Sequence, residues 1–164
     1  MRLRQAVSAD IPLLRHWDEQ PHVQASGVED WDWEEMLATD PDWREMLVAE
    51  EDGRPVGFLQ IIDPARDEDH YWGDCGPDLR AIDIWIGAVE DTGRGLGTQM
   101  MRAAFARCFA DASVRAILID PLATNTAAHR FYRRLGFALV ERRRFGGDDC
   151  FVFELTRARW RQGD

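Results

Sequence analysis

The chain has 164 residues, 45% of them apolar, which is the size and composition of one ordinary domain with a single core. Thirty acidic and twenty basic residues give it a formal net charge of −10. This charge excludes proteins that bind nucleic acid or anionic membranes through an overall positive charge, and it favours a cationic partner. We therefore predict a single domain over residues 1–164, with no nucleic-acid partner and no membrane partner.

The charge is distributed unevenly along the chain. Residues 1–83 carry a net charge of −14 and residues 84–164 a net charge of +4, and all twenty bases are arginine. A compositional bias of the source organism, with a merely solvated acidic surface, explains this pattern as well as function does. The functional interpretation is an acidic half that binds a cationic ligand and a basic half that binds an anionic one.

The cysteines and the N-terminal segment indicate the cellular compartment in which the protein works. Cys75, Cys108 and Cys150 are far apart, and the sequence has neither a CxxC pair nor a Cys/His cluster at zinc spacing, which favours a reducing compartment and no metal site. The sequence also lacks a signal-peptide core and any apolar run of about eighteen residues. We expect a soluble, cytoplasmic protein that is a monomer or a homodimer.

The N-terminal part predicts a strand and two helices. A strand over residues 2–6 is followed by a helix with Ser8 as its N-cap and Pro12 in its first turn. The apolar stripe of this helix consists of Ile11, Leu13, Leu14 and Trp17. A second helix is predicted over residues 31–38.

The next part predicts a β-hairpin and a long loop. Two β-like runs, residues 44–50 and 55–62, flank the dipeptide Asp52-Gly53, which is a strong hairpin signal. Residues 63–78 are acidic and rich in turn-forming residues, and a loop of that length usually carries function or is disordered.

The central part predicts a strand that leads through a glycine-rich turn into a helix. Within the strand over residues 79–87, alternation places the side chains of Asp83 and Trp85 on one face and those of three isoleucines, Ile82, Ile84 and Ile86, on the other. From Leu96 to Phe109, apolar residues recur at helical spacing over about four turns.

The C-terminal part predicts a buried strand, a helix and a second hairpin. The strand covers residues 114–120, and the helix covers residues 124–135 and ends at Gly136. The hairpin joins residues 137–144 to residues 150–156. This mixture of helices and strands indicates an α+β or α/β domain built around one sheet.

The glycine-rich turn predicts an anion site. Backbone N–H groups and the N-terminus of the helix converge there, the glycines allow close approach, and Arg94 adds a positive charge, which together suit a diphosphate. The spacing differs from the dinucleotide fingerprint GxGxxG, and the chain has no lysine for a P-loop. A purely structural turn is the alternative interpretation.

Two motifs together resemble the GNAT N-acetyltransferases. Residues 92–97, TGRGLG, resemble the family's acetyl-CoA motif Gln/Arg-x-x-Gly-x-Gly/Ala, although Thr92 stands where many members have Gln or Arg. Residues 125–137, NTAAHRFYRRLGF, resemble its N-x-x-A-x-x-x-Y-x-x-x-G-F pattern.

Within the family, residues 50–157 resemble the aminoglycoside 6′-N-acetyltransferases and their siderophore-acetylating relatives. The first fifty residues match poorly, because residues 23–26, VQAS, stand where the aminoglycoside-type members have a tandem Trp-Trp, and Trp31 and Trp33 come later. This departure falls where the acceptor binds in those members.

The resemblance implies a GNAT fold, with a single mixed central sheet flanked by helices, and acetyl-CoA as co-substrate. It implies that the main chain of Trp85, Ile86 and Gly87 pairs with pantetheine and that Asn125 binds the pantetheine arm, caps its helix, or does both. The cofactor phosphates would lie on the turn, which consists of Thr92, Gly93, Arg94, Gly95, Leu96, Gly97 and Thr98.

Two residues are candidates for the chemistry. Acetylation of an amine needs an uncharged nitrogen, and a carboxylate beside it binds the ammonium and takes its proton. Asp83, the one acidic residue of its strand, is the candidate, and an acid on an exposed sheet face is the alternative. Tyr132 lies where the family has its proton donor to the departing thiolate; the alternative is a core aromatic residue packed beside Phe131.

The candidate acceptor-binding residues are less specific. Asp120 is either a turn former or a second carboxylate for the acceptor, and Trp72 either stacks on the acceptor or packs as a lid. The four histidines show no ligand or triad spacing. The resemblance implies a cationic acceptor, the 6′-amine of an aminoglycoside. Alternatives are a siderophore precursor, a polyamine, a protein N-terminus, or no catalysis at all in a module that only binds acyl-CoA.

Overall fold

A computed structural model describes residues 1–27 and 31–163. Its strands are β1 (Arg2–Gln5), β2 (Arg44–Glu51), β3 (Arg54–Ile62), β4 (Leu79–Ile86), β5 (Ala116–Ile119), β6 (Ala138–Phe145) and β7 (Asp148–Thr156). Its helices are α1 (Ile11–Asp18), α2 (Pro21–Gln24), α3 (Trp33–Thr39), α4 (Leu96–Ala110), α5 (Thr126–Arg134) and α6 (Arg157–Gln162).

The strands form one mixed sheet in the order β1-β2-β3-β4-β5-β7-β6. Strands β4 and β5 are parallel and pair from Leu79 with Ala116 to Ala81 with Leu118, while β4 continues to Ile86. The pairs β1/β2, β5/β7 and β6/β7 are antiparallel. The predicted architecture, a single mixed sheet with flanking helices, is confirmed.

The predicted elements are found close to their expected positions, and the differences concern helix ends and short helices. Ser8 does not cap α1 with its side chain; instead, the Asp10 carboxylate accepts from the Val7 N–H at 2.9 Å, and Arg4 holds it through two bonds of 2.7 Å. The helix predicted over residues 31–38 begins at Trp33. Helices α2 and α6 were not predicted, because four and six residues are too short for helical periodicity.

Contacts divide the chain into two compact units. The first comprises Met1–Ile61 and Asp83–Phe105, and the second comprises Ile62–Ile82 and Ala106–Asp164. The core of the first unit includes Leu14, Trp17, Val23, Trp33, Met46, Val48, Phe58 and Trp85. One buried cluster of the second unit comprises Trp72, Leu79, Ala81, Ala116, Leu118, Phe145, Cys150 and Val152. That residues 1–164 form a single domain stays a prediction.

The helices of residues 1–27 and 31–163 include none that is both long and apolar enough to cross a membrane.

Candidate functional site

The side chain of Asp83 lies on one face of the β3/β4 pair, in the first unit. Gln60 Nε2 donates to Asp83 Oδ2 at 2.6 Å, and the rings of Phe58 and Trp85 lie 4.8 Å apart. From the first pair to the second, the residue number falls by two on β3 and rises by two on β4, as it must in an antiparallel pair of strands. Asp83, Trp85, Phe58 and Gln60 therefore share one face, which confirms the predicted alternation.

Asp83 is half-buried, so it is not the fully exposed acid of the alternative interpretation. Burial raises the pKa of its carboxyl above the ordinary value of 3.8, and the hydrogen bond from Gln60 opposes part of that shift. The bond from Gln60 lowers the pKa because it stabilises the charged form. A carboxylate with a raised pKa is a stronger base, which suits the removal of a proton from an ammonium group.

Two buried polar atoms near Asp83 have no hydrogen-bond partner within residues 1–27 and 31–163. They are Gln60 Oε1, an acceptor, and Trp85 Nε1, a donor. A buried polar group without a partner costs about 1–3 kcal/mol. Because one atom accepts and the other donates, the pair suits a ligand that carries both amino and hydroxyl groups.

Sequence reasoning missed Gln60. The available signal was its position as the one polar side chain in the apolar run from Val56 to Ile62. That signal does not reveal which residue Gln60 contacts, because the register between β3 and β4 decides it.

An aromatic cluster in the first unit surrounds Trp85. The ring of Trp31 lies 5.3 Å from that of Trp85, and the ring of Trp33 lies 5.0 Å from that of Phe58. Trp33 is fully buried, and its Nε1 donates to Asp18 Oδ2 at 2.5 Å. These apolar rings beside the Asp83 face give it a low local polarity, consistent with the direction of the Asp83 pKa shift.

Two main-chain groups at the end of β4 already make hydrogen bonds within the protein. The Gly87 N–H donates to the Val56 carbonyl at 3.0 Å, so Gly87 faces β3, and strand alternation directs Trp85 the same way. The Ile86 carbonyl points away from β3 and accepts from His22 Nε2 at 2.9 Å. Of the three residues predicted to pair with pantetheine, Ile86 has the most suitable main-chain direction.

Sequence reasoning assigned His22 no chemistry, yet its ring lies against this strand. Because a carbonyl only accepts, His22 Nε2 carries the hydrogen of the bond to Ile86. The other ring nitrogen, Nδ1, is buried and has no partner among the described residues. No spacing signal in the sequence connects residues 22 and 86.

The glycine-rich turn has an exposed backbone. Gly93 and Gly95 adopt φ values of 72° and 81°, in the left-handed region that side chains disfavour, and a Cβ built on either residue would meet no atom within 4 Å. The Gln99 N–H bonds to the Gly95 carbonyl at 3.2 Å as the first bond of α4. The N–H groups of Leu96, Gly97 and Thr98 therefore precede the helical ladder and suit an anion.

Two polar side chains of the turn, those of Thr92 and Arg94, are held by other groups. Thr92 Oγ1 donates to the Val89 carbonyl at 2.6 Å, which commits its hydrogen within the loop. Arg94 Nη1 donates to Asp91 Oδ1 at 2.5 Å, and its Nη2 lies 3.7 Å from Glu51 Oε2. The positive charge predicted for this site is thus paired with carboxylates.

Asp91 and Arg54, both missed by sequence reasoning, belong to the same cluster. The Arg54 guanidinium donates to both oxygens of the buried Asp91 carboxylate, at 2.6 and 2.9 Å. The hydrogen bonds from Arg54 lower the pKa of the Asp91 carboxyl below its ordinary value of 3.8, and the bond from Arg94 lowers it to a smaller extent. Asp91 is therefore ionised at neutral pH.

The other predicted site residues lie in the second unit. The Tyr132 ring is buried on α5, 5.2 Å from Phe131 and 5.7 Å from Phe137, so it packs as a core aromatic residue. Asn125 caps α5, because its side-chain oxygen accepts from the Ala128 N–H at 3.1 Å. Their roles toward a cofactor stay predictions.

The aromatic residues of the loop over residues 63–78 differ in exposure. Trp72 is only 4% exposed and packs 5.1 Å from Phe145, which agrees with its packing interpretation. Its neighbour Tyr71 is 49% exposed and stacks on Phe145 at 4.6 Å. The Tyr71 hydroxyl donates to Asp120 Oδ2 at 2.6 Å, so an exposed aromatic ring adjoins a carboxylate.

Comparisons with known proteins identify the family of the chain. The acetyltransferase (GNAT) domain family matches residues 6–145, a range that contains every predicted site residue. Aminoglycoside N(6′)-acetyltransferase type 1 of Klebsiella pneumoniae is 30% identical over 149 residues, which cover 82% of this chain and 72% of the relative. Lysine N-acyltransferase MbtK of Mycobacterium tuberculosis is 27% identical over 134 residues, which cover 78% of this chain and 64% of the relative.

Solved structures share the fold over nearly the whole chain. The structure of AAC(6′)-Ib in complex with ribostamycin and coenzyme A has a TM-score of 0.88 and 25% identity, covering 98% of this chain and 95% of that one. An aminoglycoside N(6′)-acetyltransferase of Legionella pneumophila has a TM-score of 0.80 and 20% identity, covering 99% of this chain and 95% of that one.

Proposed function

The chain belongs to the GNAT acetyltransferase family, and from this premise we propose that it transfers the acetyl group of acetyl-CoA to the 6′-amine of an aminoglycoside. The likeness to the Klebsiella pneumoniae aminoglycoside N(6′)-acetyltransferase supports this acceptor. The observation that carries the proposal is the half-buried Asp83 carboxyl, with a raised pKa and with an unpartnered acceptor and an unpartnered donor on the same strand face.

The proposed chemistry is a direct transfer. Asp83 binds the ammonium group of the acceptor and takes its proton, directly or through a water molecule, which frees the nitrogen lone pair. The nitrogen attacks the thioester carbonyl, a C–N bond forms, the C–S bond breaks, and coenzyme A leaves as a thiolate. The Tyr132 hydroxyl then protonates that thiolate, whose free thiol has a pKa of about 8.5, and the second proton that the nitrogen loses as the amide forms passes through solvent to the Tyr132 oxygen.

Three groups support the choice of a sugar-based amine. The exposed ring of Tyr71 and the carboxylate of Asp120 offer a flat apolar face next to a negative charge. Gln60 Oε1 offers an acceptor for a further amine or hydroxyl group. Aminoglycosides carry ammonium groups, hydroxyl groups and apolar ring faces, so their chemistry suits each of these groups taken by itself.

A second candidate acceptor is a lysine-type amine, as in a siderophore precursor. The 27% identity with the lysine N-acyltransferase MbtK favours it. Such an acceptor would use Asp83 in the same way, and it carries no sugar ring to stack on an aromatic side chain.

An acceptor screen tests the proposal. Free-thiol release from acetyl-CoA is measured with kanamycin, ribostamycin, lysine and spermidine, and turnover with the two aminoglycosides is expected. Asp83→Asn and Tyr132→Phe should each lower kcat/KM by about 10²-fold, the usual size of an acid–base contribution. Glu19→Gln, a change of an exposed acid, is the control and should leave turnover unchanged.

Three outcomes would contradict the proposal. Turnover with lysine alone would mean that the acceptor is a lysine-type amine, while the proposed acetyl-transfer mechanism would still hold. Coenzyme A binding without turnover of any amine would support a module that only binds acyl-CoA. Unchanged kcat/KM in both Asp83→Asn and Tyr132→Phe would overturn the mechanism.

A further inference from the structure

We propose that Arg54 frees Arg94 to bind the phosphates of acetyl-CoA, because Arg54 keeps the buried Asp91 carboxylate paired when Arg94 leaves it. The inference rests on the proposed function, since it concerns the cofactor which that function uses. It assigns a positioning role to Arg54 and Asp91, and it makes Arg94 a movable group that is shared between a carboxylate and a ligand.

The bonds to Asp91 are unequal. Arg54 makes two, from Nη1 to Oδ2 at 2.6 Å and from Nη2 to Oδ1 at 2.9 Å. Arg94 makes one, from Nη1 to Oδ1 at 2.5 Å, on the oxygen that Arg54 also uses. Because Arg54 alone reaches both oxygens in a bidentate arrangement, Asp91 stays fully paired when Arg94 turns away.

Burial makes this second partner necessary. The Asp91 side chain is only 1% exposed, whereas the side chains of Arg54 and Arg94 are each 52% exposed. A buried carboxylate that loses its partner is strongly destabilised, since neither water nor another cation replaces the lost bond. Without Arg54, Arg94 would be the remaining partner of Asp91 and would be held away from any ligand.

The position of Arg94 suits a movement of its side chain from Asp91 to the cofactor phosphates. It lies between Gly93 and Gly95, where the backbone is open, and directly before the unbonded N–H groups of α4. Its second contact, Glu51 Oε2 at 3.7 Å, is longer than a hydrogen bond. Arg94 is thus held beside the turn by one hydrogen bond and one looser ion pair, both partly exposed to solvent.

The charges of the cluster favour a mechanism in which Arg94 moves to the phosphates over one in which the whole cluster attracts them. Arg54 and Arg94 contribute two positive charges, Asp91 and Glu51 contribute two negative ones, and Glu90 places a further negative charge near Arg54, so the resting cluster has no net positive charge. Such a cluster does not attract a diphosphate as a whole. When Arg94 moves, its charge passes to the phosphates and Arg54 continues to balance Asp91.

Calorimetric binding of coenzyme A tests the inference on the whole chain. Arg54→Ala should raise the Kd by about tenfold, equivalent to about 1.4 kcal/mol, because it leaves Arg94 tied to Asp91. Adding Asp91→Asn should restore the Kd to within about twofold of the wild type, because it removes the carboxylate that retains Arg94. Arg15→Ala, which removes an exposed ion pair with Glu34, is the matched control and should have no effect.

A second cycle removes the buried charge together with Arg94. In an Arg94→Ala/Asp91→Asn background, Arg54→Ala should cause no further loss of coenzyme A affinity, because no arginine remains to be released and no buried carboxylate is left unpaired. In the turnover assay, Arg54→Ala should raise the KM for acetyl-CoA and leave kcat unchanged. If Arg54 had only a structural role, the combined variants would bind coenzyme A more weakly than either single variant, and kcat would fall as well.

The outcomes separate the inference from the proposed function. Wild-type affinity in Arg54→Ala, or a weaker double variant with Asp91→Asn, overturns the inference. Coenzyme A binding by the wild type without acetyl transfer overturns the proposed function, while the two cycles still decide the inference. A wild-type chain that does not bind coenzyme A overturns both.

Discussion

At the scale of single residues, the environment of Asp83 determines its chemistry. Its position as the one acidic residue of β4 is visible in the sequence. Its hydrogen bond with Gln60 and the aromatic rings beside its strand face are not visible there, because they come from β3 and from α3. These neighbours supply both the burial that raises the Asp83 pKa and the hydrogen bond that opposes the rise.

Asp83→Asn is expected to raise the free energy of unfolding at neutral pH. Because burial raises the Asp83 pKa in the folded state, the folded protein binds this proton more tightly than the unfolded chain does. Stability therefore falls as the pH rises from the unfolded pKa through the folded one. Asparagine carries no charge, and its amide would donate to the unpartnered Gln60 Oε1, a gain of about 1 kcal/mol.

Chemical denaturation at neutral and acidic pH measures this effect. The part of the gain that comes from removing the charge should vanish below the unfolded pKa of about 3.8, where both states are protonated. Asp91→Asn is the control with the opposite sign, because the pKa of Asp91 is lowered in the folded state and its charge stabilises the fold. An Asp83→Asn variant that is less stable than the wild type at neutral pH would refute this account.

At the scale of elements, α1 and α2 fix the end of β4. The ring of Trp17 on α1 lies directly over Gly87, and His22 on α2 bonds to the Ile86 carbonyl. The apolar spacing of α1 predicts that Trp17 is buried, and this is confirmed. The spacing does not predict that the ring covers a glycine, since the contact joins residues 70 positions apart in the sequence.

Gly87→Ala is expected to destabilise the protein. A Cβ at this position would lie 2.0 Å from Trp17 Cε2, and Trp17 is a buried ring that cannot move into solvent. Overpacking of this kind costs about 1–3 kcal/mol. Thermal unfolding followed by circular dichroism measures the loss.

Gly147→Ala is the matched control, because a Cβ there meets no atom within 4 Å. Its midpoint of unfolding should remain close to that of the wild type. Equal midpoints for both variants would mean that Trp17 does not pack on Gly87 as described.

At the scale of the whole molecule, the charge asymmetry of the sequence does not map onto two separate bodies. Contacts group residues 84–105, from the less acidic half, with residues 1–61 of the acidic half. Arg94 accordingly pairs with Asp91 and Glu51. Several acids of the loop over residues 63–78 are also used internally: Asp63 lies 3.5 Å from Arg80, and Asp67 accepts from two backbone N–H groups.

The KM for an aminoglycoside acceptor is expected to rise with salt. The Debye length falls from about 10 Å at 0.1 M to about 3 Å at 1 M, so exposed acids attract a cationic acceptor less. Among the described residues, the exposed acids of the loop whose side chains make no internal bond are Glu68, Asp69, Asp74 and Asp78. Steady-state kinetics across this salt range measures the effect.

Neutralising Glu68, Asp69, Asp74 and Asp78 together should flatten the salt dependence of the acceptor KM. The control neutralises Glu19 and Asp52, two exposed acids from other parts of the chain, and should keep the wild-type dependence. If both sets behave alike, the net charge of −10 acts as a whole and the loop has no special part in attraction.

The sequence by itself determined the order of the strands and of the four longer helices, the hairpins, the glycine-rich turn and the family, because each depends on residues close together in the chain. Alternation along β4 and the motif around Tyr132 are further examples of such local patterns. Only the tertiary structure decided that Gln60 holds Asp83, that His22 bonds to Ile86, and that Asp91 shares two arginines. The physical reason is that strand register and helix packing decide which distant side chains meet, and those contacts set burial and charge at the site.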